Sequence, residues 1–262
     1  MKAIIAFLIR YVPRTYLQRV SGVGMKILAV LYSGKGVVCP ICGSSFRKFL
    51  PYGRITPREN ALCPNCLSLE RHRLIWLYLR DETDVLTRRQ HVLHIAPEAC
   101  FMKRLEAIHG DQYITADIES PLAKIKADIH QLPFGNNTFN VVLCNHVLEH
   151  VRDDIGAMRE LTRVLKRDAF AILQVPFFRP IEDATYEDSA ITSPRDRERI
   201  FGQADHVRKY GHDYPIRLKR GGLTPIESDY VDRLSDEDRK KYGLVKGEII
   251  YGGFKGEYAP PS

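Results

Sequence analysis

Between residues 88 and 256, short apolar runs alternate with stretches of helical periodicity, and that alternation leaves few folds open. The strand-like runs are His91–Ile95, Gln112–Ala116, Ala123–Ala127, Asn140–Cys144, Ala169–Val175, Ile226–Val231 and Glu248–Phe254. The central ones are apolar at nearly every position, as expected of strands covered on both faces. Helical segments fall at Glu98–Ile108, Asp153–Leu165 and Asp205–Arg220. In the second, Ile155, Met158, Leu161, Val164 and Leu165 line one face. The pattern predicts an α/β domain with a mainly parallel sheet and helices on both faces. Such a sheet binds ligands beyond the carboxyl ends of its strands, where the strand order reverses.

A second constraint lies upstream. Cys39-Pro-Ile-Cys42 and Cys63-Pro-Asn-Cys66 are two Cys-x-x-Cys pairs, separated by twenty residues. The two-residue gap lets both sulfurs of a pair reach one ion, and two pairs supply four thiolates for a tetrahedral site, a donor set that suits zinc. Gly43 follows the first pair, where it can relieve the turn. A closed four-thiolate site leaves no position for substrate, so the expectation is a structural staple. The helix expected at Ser68–Glu82, rich in leucine and carrying Trp76 as a packing residue, joins this knuckle to the α/β domain.

The 262 residues therefore divide into an apolar-basic arm at 1–33, a four-cysteine, zinc-ribbon-like unit with its connecting helix at 34–82, and an α/β domain at 88–256. Cys100 and Cys144 stand alone, which is not the pattern of a disulfide framework and predicts a reducing, cytoplasmic setting. The net charge of +7 favours anionic partners without selecting one. In the arm, Ala3–Ile9 and Met25–Leu31 are each too short to span a membrane, which takes about 20 apolar residues. Basic residues interleaved with Ile, Leu, Phe and Tyr fit a helix lying on the inner face of a membrane as well as an arm packed on the protein body.

Within the α/β segment, polar landmarks follow the strands in a fixed order. They are His91-Val-Leu-His-Ile-Ala-Pro-Glu98, then Tyr113-Ile-Thr-Ala-Asp117, then Asp128-Ile-His-Gln-Leu-Pro-Phe134, then Phe139-Asn-Val-Val-Leu-Cys-Asn145-His-Val-Leu-Glu-His150, then Glu160-Leu-Thr-Arg-Val-Leu-Lys166. As a set, over roughly residues 88–223, they resemble the class I S-adenosylmethionine-dependent methyltransferases, in particular the methyltransferase type 11 group. The resemblance implies a Rossmann-like seven-stranded sheet and S-adenosylmethionine as cofactor. Asp117 lies 22 residues beyond Ile95, near the offset of about 20 at which an acid meets the ribose hydroxyls. By resemblance, Asp128 accepts from the adenine amino group, and Ile129 packs on the adenine face. The first landmark departs from the family: His94 stands for the acid, and Ala96 and Glu98 for glycines, with Pro97 between. Pro97 suits a first helical turn and Glu98 the positive helix end, where it could take the ammonium of the methionine moiety. Only ten residues separate Asp117 from Asp128, so the helix usually found there must be very short or missing.

Asn145 and His146 follow the fourth strand, where the family's cavity opens toward the methyl group. His146 is the first candidate for acceptor contact or general base, a role histidine fills near neutral pH. Glu149 and His150 follow on the same turn, and the sequence favours a structural role for His150. His206, Arg208 and Tyr210, in Asp205-His-Val-Arg-Lys-Tyr-Gly211, could line the acceptor site, with His206 as a second candidate base; they fit equally a role tying a loop to the sheet. Phe177–Gln203 reads as a loop or lid. The acceptor expected is a small molecule or glycan, methylated on oxygen. Two other readings rank lower: an RNA methyltransferase holding nucleic acid through the knuckle and basic arm, and a non-catalytic zinc-stapled interaction module.

Overall fold

The computed structural model describes residues 28–53 and 57–256, so most of the 1–33 arm, with its membrane reading, lies outside the described residues. These residues gather into two units, one of 28–53, 57–77 and Val231–Lys246, the other of Tyr78–Tyr230 and 247–256. No helix among them is long and apolar enough to cross a membrane.

The first unit contains β1 (Ser33–Val38) paired antiparallel with β2 (Ser45–Phe46), and β3 (Leu50–Tyr52) paired antiparallel with β4 (Arg58–Leu62). Cys39 directly follows β1 and Cys63 directly follows β4, so each cysteine pair sits on a turn beyond a strand. Helix α1 (Glu70–Asp81) starts in this unit and is buried from His72 to Leu79, Trp76 included. Its Arg73 is wholly buried, and among the described residues no carboxylate is bound to its guanidinium. The carbonyls of Ala61, Ser68, Tyr242 and Gly243 take its N–H groups at 2.6–3.0 Å, and the ring of Phe49 lies 4.0 Å below it. A planar fork of donors can bind four carbonyls at once, which an ammonium cannot. This residue gathers the segment Val231–Lys246 into the cysteine-bearing unit, whereas the sequence boundaries had assigned that segment to the α/β domain.

The second unit is built on a seven-stranded sheet of order β12-β13-β9-β8-β5-β6-β7. Its strands are β5 (Val92–Ile95), β6 (Tyr113–Asp117), β7 (Ile125–Lys126), β8 (Phe139–Cys144), β9 (Leu165–Ile172), β12 (Thr224–Ser228) and β13 (Ile250–Lys255). Strands β5 to β9 pair parallel, and β13 runs antiparallel to both β9 and β12. The chain lays β5, β6 and β7 side by side, returns across β5, and continues through β8 to β9, so the order reverses between β5 and β8. The expected Rossmann-like α/β class is the one found. Helix α2 (Ala99–His109) follows β5, and α3 (Asp154–Val164), capped by the Asp153 carboxylate on Gly156 N–H, follows β8. Leu93, Val142, Ala171, Met158 and Leu161 are among the buried residues of the core between sheet and helices.

Several boundaries differ from the sequence reading. β9 starts at Leu165, straight out of α3, with the turn residue Asp168 at φ +57°. No helix separates β6 from β7, as the short spacing required. The helix expected over Asp205–Arg220 is only α5 (Tyr214–Arg220), preceded by β11 (Arg208–Lys209). Pro215 belongs in a first turn and would break a longer helix. Gly211 lies against the backbone of Ala184, where a Cβ would come within 2.4 Å of a carbonyl carbon. The expected loop at 177–203 is likewise more ordered: it contains β10 (Tyr186–Glu187), paired with β11, and α4 (Pro194–Phe201), capped by Ser193.

A buried ion cluster holds these pieces. Asp154, 1% exposed, receives two hydrogen bonds from Arg217 at 2.6 and 2.8 Å and one from the Tyr210 hydroxyl at 2.9 Å. Arg208, 2% exposed, donates to the carbonyls of Leu148, Val151 and Arg152 and to Glu187. Burial pushes the Asp154 carboxyl up, but the Arg217 hydrogen bonds and the charges of Arg208 and Arg217 outweigh it and hold the group below its ordinary value. A carboxyl depressed in the folded state stabilises the fold above its unfolded pKa, about 3.9, and loses that contribution as pH falls through the folded value. Asp154→Asn is therefore expected to cost about 3–5 kcal/mol at neutral pH, because it takes the buried carboxylate from Arg217 and leaves Glu187 alone to balance two buried cations. It is also expected to flatten the fall in stability below about pH 4. Denaturant unfolding of both proteins at several pH values checks both effects.

Candidate functional site

At the reversal of strand order, the residues that leave β5 and β8 both adopt left-handed backbone. Ala96 follows β5 with φ +47°, and His146 lies two residues beyond β8 with φ +54°. Non-glycine residues rarely occupy this region, and such strain tends to collect at functional sites. Ala96 thus takes a left-handed conformation that glycine adopts more readily; its N–H donates to the Ala116 carbonyl at 2.9 Å.

A chain of buried polar groups fixes this end of the sheet. The Tyr113 hydroxyl and His94 Nδ1 are 2.7 Å apart, and His94 Nε2 meets the Glu98 carboxylate. The Asn145 amide donates to Glu98 Oε1 at 3.0 Å. An ionised carboxylate only accepts, so His94 Nε2 and Asn145 Nδ2 are the donors. Burial pushes the Tyr113 hydroxyl up, which keeps its proton in place to donate to His94 Nδ1. The imidazole found where an acid is usual therefore serves to orient Glu98. Donor assignment at Asn145 leaves its Oδ1 buried with no partner among the described residues.

Asp117 closes β6. Its Oδ1 accepts from the backbone N–H groups of Glu119 and Ser120 at 2.7 and 2.6 Å, an Asx turn that fixes one face of the carboxylate. Its carbonyl accepts from Ala127 N–H, so Asp128 stands one residue past a bond between the neighbouring strands. The Asp128 side chain is 53% exposed, and the backbone and ring of His130 hydrogen bond it and hold it below the usual carboxylate range. Ile129 is buried against Ile95 and Ala116, among other core residues. The structure thus gathers His94, Ala96, Glu98, Asp117, Asp128, Ile129 and Asn145 at the carboxyl ends of β5, β6, β7 and β8.

His146 lies at the same end, with 29% of its side chain exposed and Nδ1 3.3 Å from Glu149 Oε1. His206 differs: it is wholly buried, its Nδ1 pairs with the Phe201 carbonyl at 3.0 Å, and burial pushes its pKa down. Arg208 and Tyr210 are also buried, with their polar atoms spent on Asp154, Glu187 and the carbonyls of residues 148–152. Of the two roles the sequence left open for them, the geometry is that of the tie between loop and sheet. Spacing gave no sign of Asp154, Arg217 or Tyr113. Burial also drives the Cys144 thiol well up, which makes it inert.

In the first unit the four cysteines converge. The Cys39–Cys66 and Cys42–Cys63 sulfurs are 3.6 and 3.7 Å apart, and all four lie within 4.8 Å of one another. Four sulfurs about 2.3 Å from one tetrahedral ion stand about 3.8 Å apart, so the cluster has the size of a single-ion site. The two pairs share one backbone design. Gly43 N–H donates to the Cys39 carbonyl and Cys39 N–H to the Ser44 carbonyl; Leu67 N–H donates to Cys63 and Cys63 N–H to Ser68. Each loop ends in a left-handed residue, Gly43 at φ +72° and Leu67 at φ +61°.

Residues 88–173 match the family described as a methyltransferase domain. An uncharacterized protein of Methanocaldococcus jannaschii is 48% identical over 52 residues, which are 20% of this chain and only 23% of that protein. Among solved structures, the YcgJ protein of Bacillus subtilis aligns at 18% identity over 71% of this chain and 100% of that one, with a TM-score of 0.44. The 1,6-didemethyltoxoflavin-N1-methyltransferase of Burkholderia thailandensis, solved with S-adenosylhomocysteine, aligns at 14% identity over 71% of this chain and 83% of that one, also at 0.44. The family match covers about a third of the chain, the segment from β5 through β9 on which the strand-end residues lie.

The knuckle yields a direct test. Left-handed backbone costs an L-residue about 1–2 kcal/mol, and glycine returns about 0.5–1 kcal/mol of that as entropy. Leu67→Gly is therefore expected to leave the melting temperature unchanged or raise it by up to about 4 °C, whereas Gly43→Leu is expected to lower it. Scanning calorimetry of both variants reads the difference.

Proposed function

We propose that the chain transfers a methyl group from S-adenosylmethionine to an oxygen of a small-molecule or glycan-type acceptor. The observation that carries this reading is the pairing of two carboxylates, Asp117 and Asp128, at the ends of neighbouring parallel strands, with the unpartnered Asn145 carbonyl at the adjacent strand reversal.

The residues fit the cofactor group by group. Asp117, with one oxygen committed to its turn, offers the other to the ribose hydroxyls. Asp128 accepts from the adenine amino group, and Ile129 supplies an apolar edge beside it. Glu98, oriented by His94 and Asn145, is placed to face the methionine ammonium, and Asn145 Oδ1 is an acceptor for the same cation. When bound, the cofactor supplies an electrophilic methyl carbon on a sulfonium. The protein's part is to hold the acceptor in line with that carbon and keep water out. His146, partly exposed and flanked by Glu149, takes the proton of the acceptor hydroxyl. His206, Arg208 and Tyr210 do not touch the acceptor in this account; Arg208 holds the carbonyls of residues 148, 151 and 152 just beyond the base, Tyr210 binds Asp154, and His206 Nδ1 binds the Phe201 carbonyl.

The four-cysteine cluster is proposed to hold a structural zinc ion. The sulfur spacing supports a closed tetrahedral site, and thiolate donors suit zinc. Four thiolates leave the site two negative charges in excess of one divalent ion; burial pushes the Arg73 guanidinium below its ordinary value, and the charges of Cys39, Glu70, Cys63 and Cys66 oppose that shift.

A hydrogen bond to a charged group contributes about 1.5–3 kcal/mol, so Asp117→Ala is expected to weaken S-adenosylmethionine binding by about 10–100-fold in calorimetry. Equal affinity in the two proteins overturns the cofactor placement. A transfer screen across acceptor classes tests the rest, with methylation of hydroxyl oxygens expected; transfer confined to nitrogen or carbon acceptors overturns the O-methyl reading.

A further inference from the structure

Beyond the strand ends, one polar cluster is used neither by the proposed cofactor contacts nor by the ion cluster around Asp154. Glu149, 1% exposed, and His206, fully buried, converge with His150, so that one ligand atom from each lies within 4.8 Å of the others. The rings of His150 and His206 meet edge to face, with centroids 4.7 Å apart. Glu149 Oε2 and His206 Nε2 are both buried and both lack a partner among the described residues.

The chemistry of those two atoms is determined by their neighbours. His206 Nδ1 faces the Phe201 carbonyl at 3.0 Å, and a carbonyl accepts only, so Nδ1 carries the proton. Nε2 is then the nitrogen with the free lone pair. Glu149 Oε1 has His146 Nδ1 at 3.3 Å, which leaves Oε2 as a bare acceptor. Two buried acceptors in one cluster, neither with a donor among the described residues, are a costly arrangement unless a cation joins them. A histidine whose second nitrogen donates to a backbone carbonyl is also the usual form of a metal-bound imidazole. His150 is half-buried, with Asp205 3.3 Å from its Nδ1 on the outer side. Donors about 2.1 Å from one tetrahedral ion stand about 3.4 Å apart, so these ligand atoms, within 4.8 Å of one another, draw in on the ion when it binds.

We propose that Glu149, His150 and His206 form a second metal site, separate from the four cysteines, for a divalent transition-metal ion. Imidazole and carboxylate donors suit zinc, cobalt, iron or manganese, and three protein ligands leave a coordination position open to an outside oxygen. His146, bonded to the same carboxylate, stands beside it. That the open position faces the methyl acceptor rests on the proposed function; that the ion binds does not.

Cobalt(II) is the probe, because thiolate-bound cobalt has intense sulfur charge-transfer absorption that a nitrogen and oxygen site lacks. Full-length protein prepared with cobalt and freed of excess metal is expected to hold two ions per chain. One is accounted for by the thiolate absorption and the other is not. Glu149→Gln, nearly isosteric, and His150→Ala, at a partly exposed position, are each expected to lose the second ion while keeping the thiolate band. His206→Ala is expected to do the same. Should its burial prevent folding, the other two variants decide. A wild-type protein holding only thiolate-bound cobalt overturns the proposal and leaves a proton as the bridge between Glu149 and His206. Variants that retain the second ion overturn it equally. S-adenosylmethionine calorimetry on the same samples separates the two proposals, since cofactor binding without the second ion, or the second ion without cofactor binding, fails one and spares the other.

Discussion

The site depends on one strand, β5, which pairs parallel with β6 on one side and β8 on the other. Because the chain fills one flank before crossing to the second, the loops after β5 and β8 turn away from each other at their shared border. Each makes its turn with a left-handed residue that is not glycine, Ala96 or His146. The strain this costs is tolerated because both loops are held. Ala96 is bonded to β6 through Ala116, and His146 N–H donates to the Gln174 carbonyl at 2.7 Å.

Three buried arginines extend this control beyond the sheet. Arg208 collects the carbonyls of residues 148, 151 and 152, so the segment carrying His146, Glu149 and His150 cannot drift from α3. Arg217 ties the same cluster to Asp154 and Glu187, and Thr185 hydrogen bonds Asp213, so the 177–203 segment is pinned to the residues before α5. Arg73 does the corresponding work in the cysteine unit through four carbonyls. In each case a planar cation replaces a stretch of regular secondary structure, at a desolvation cost met by several acceptors at once.

What could be read from the sequence follows from the range of each interaction. The cysteine pairs and the parallel strands announce themselves because their signals are local: a two-residue gap, or a run of apolar residues. Asp117 and Asp128 were legible because each sits at the end of such a run. Arg73 was not, since its carbonyl partners at Tyr242 and Gly243 lie 169 and 170 residues away, and on a helix it looks like a solvent-facing charge. Asp154, Arg208 and Arg217 were hidden for the same reason, and the Arg208–Glu187 pairing turned an expected helix into a strand. His94 looked like a departure from the family pattern until Tyr113 and Glu98 were seen on either side of it.

The central claim is that one nucleoside lies across the ends of β5, β6, β7 and β8. Hydrogen–deuterium exchange with and without saturating S-adenosylmethionine measures this most directly. The account predicts slowed exchange in peptides covering 95–98, 117–120, 128–131 and 145–146, with little change around the cysteines. Unchanged exchange in those four segments, or protection confined to another part of the sheet, would contradict it.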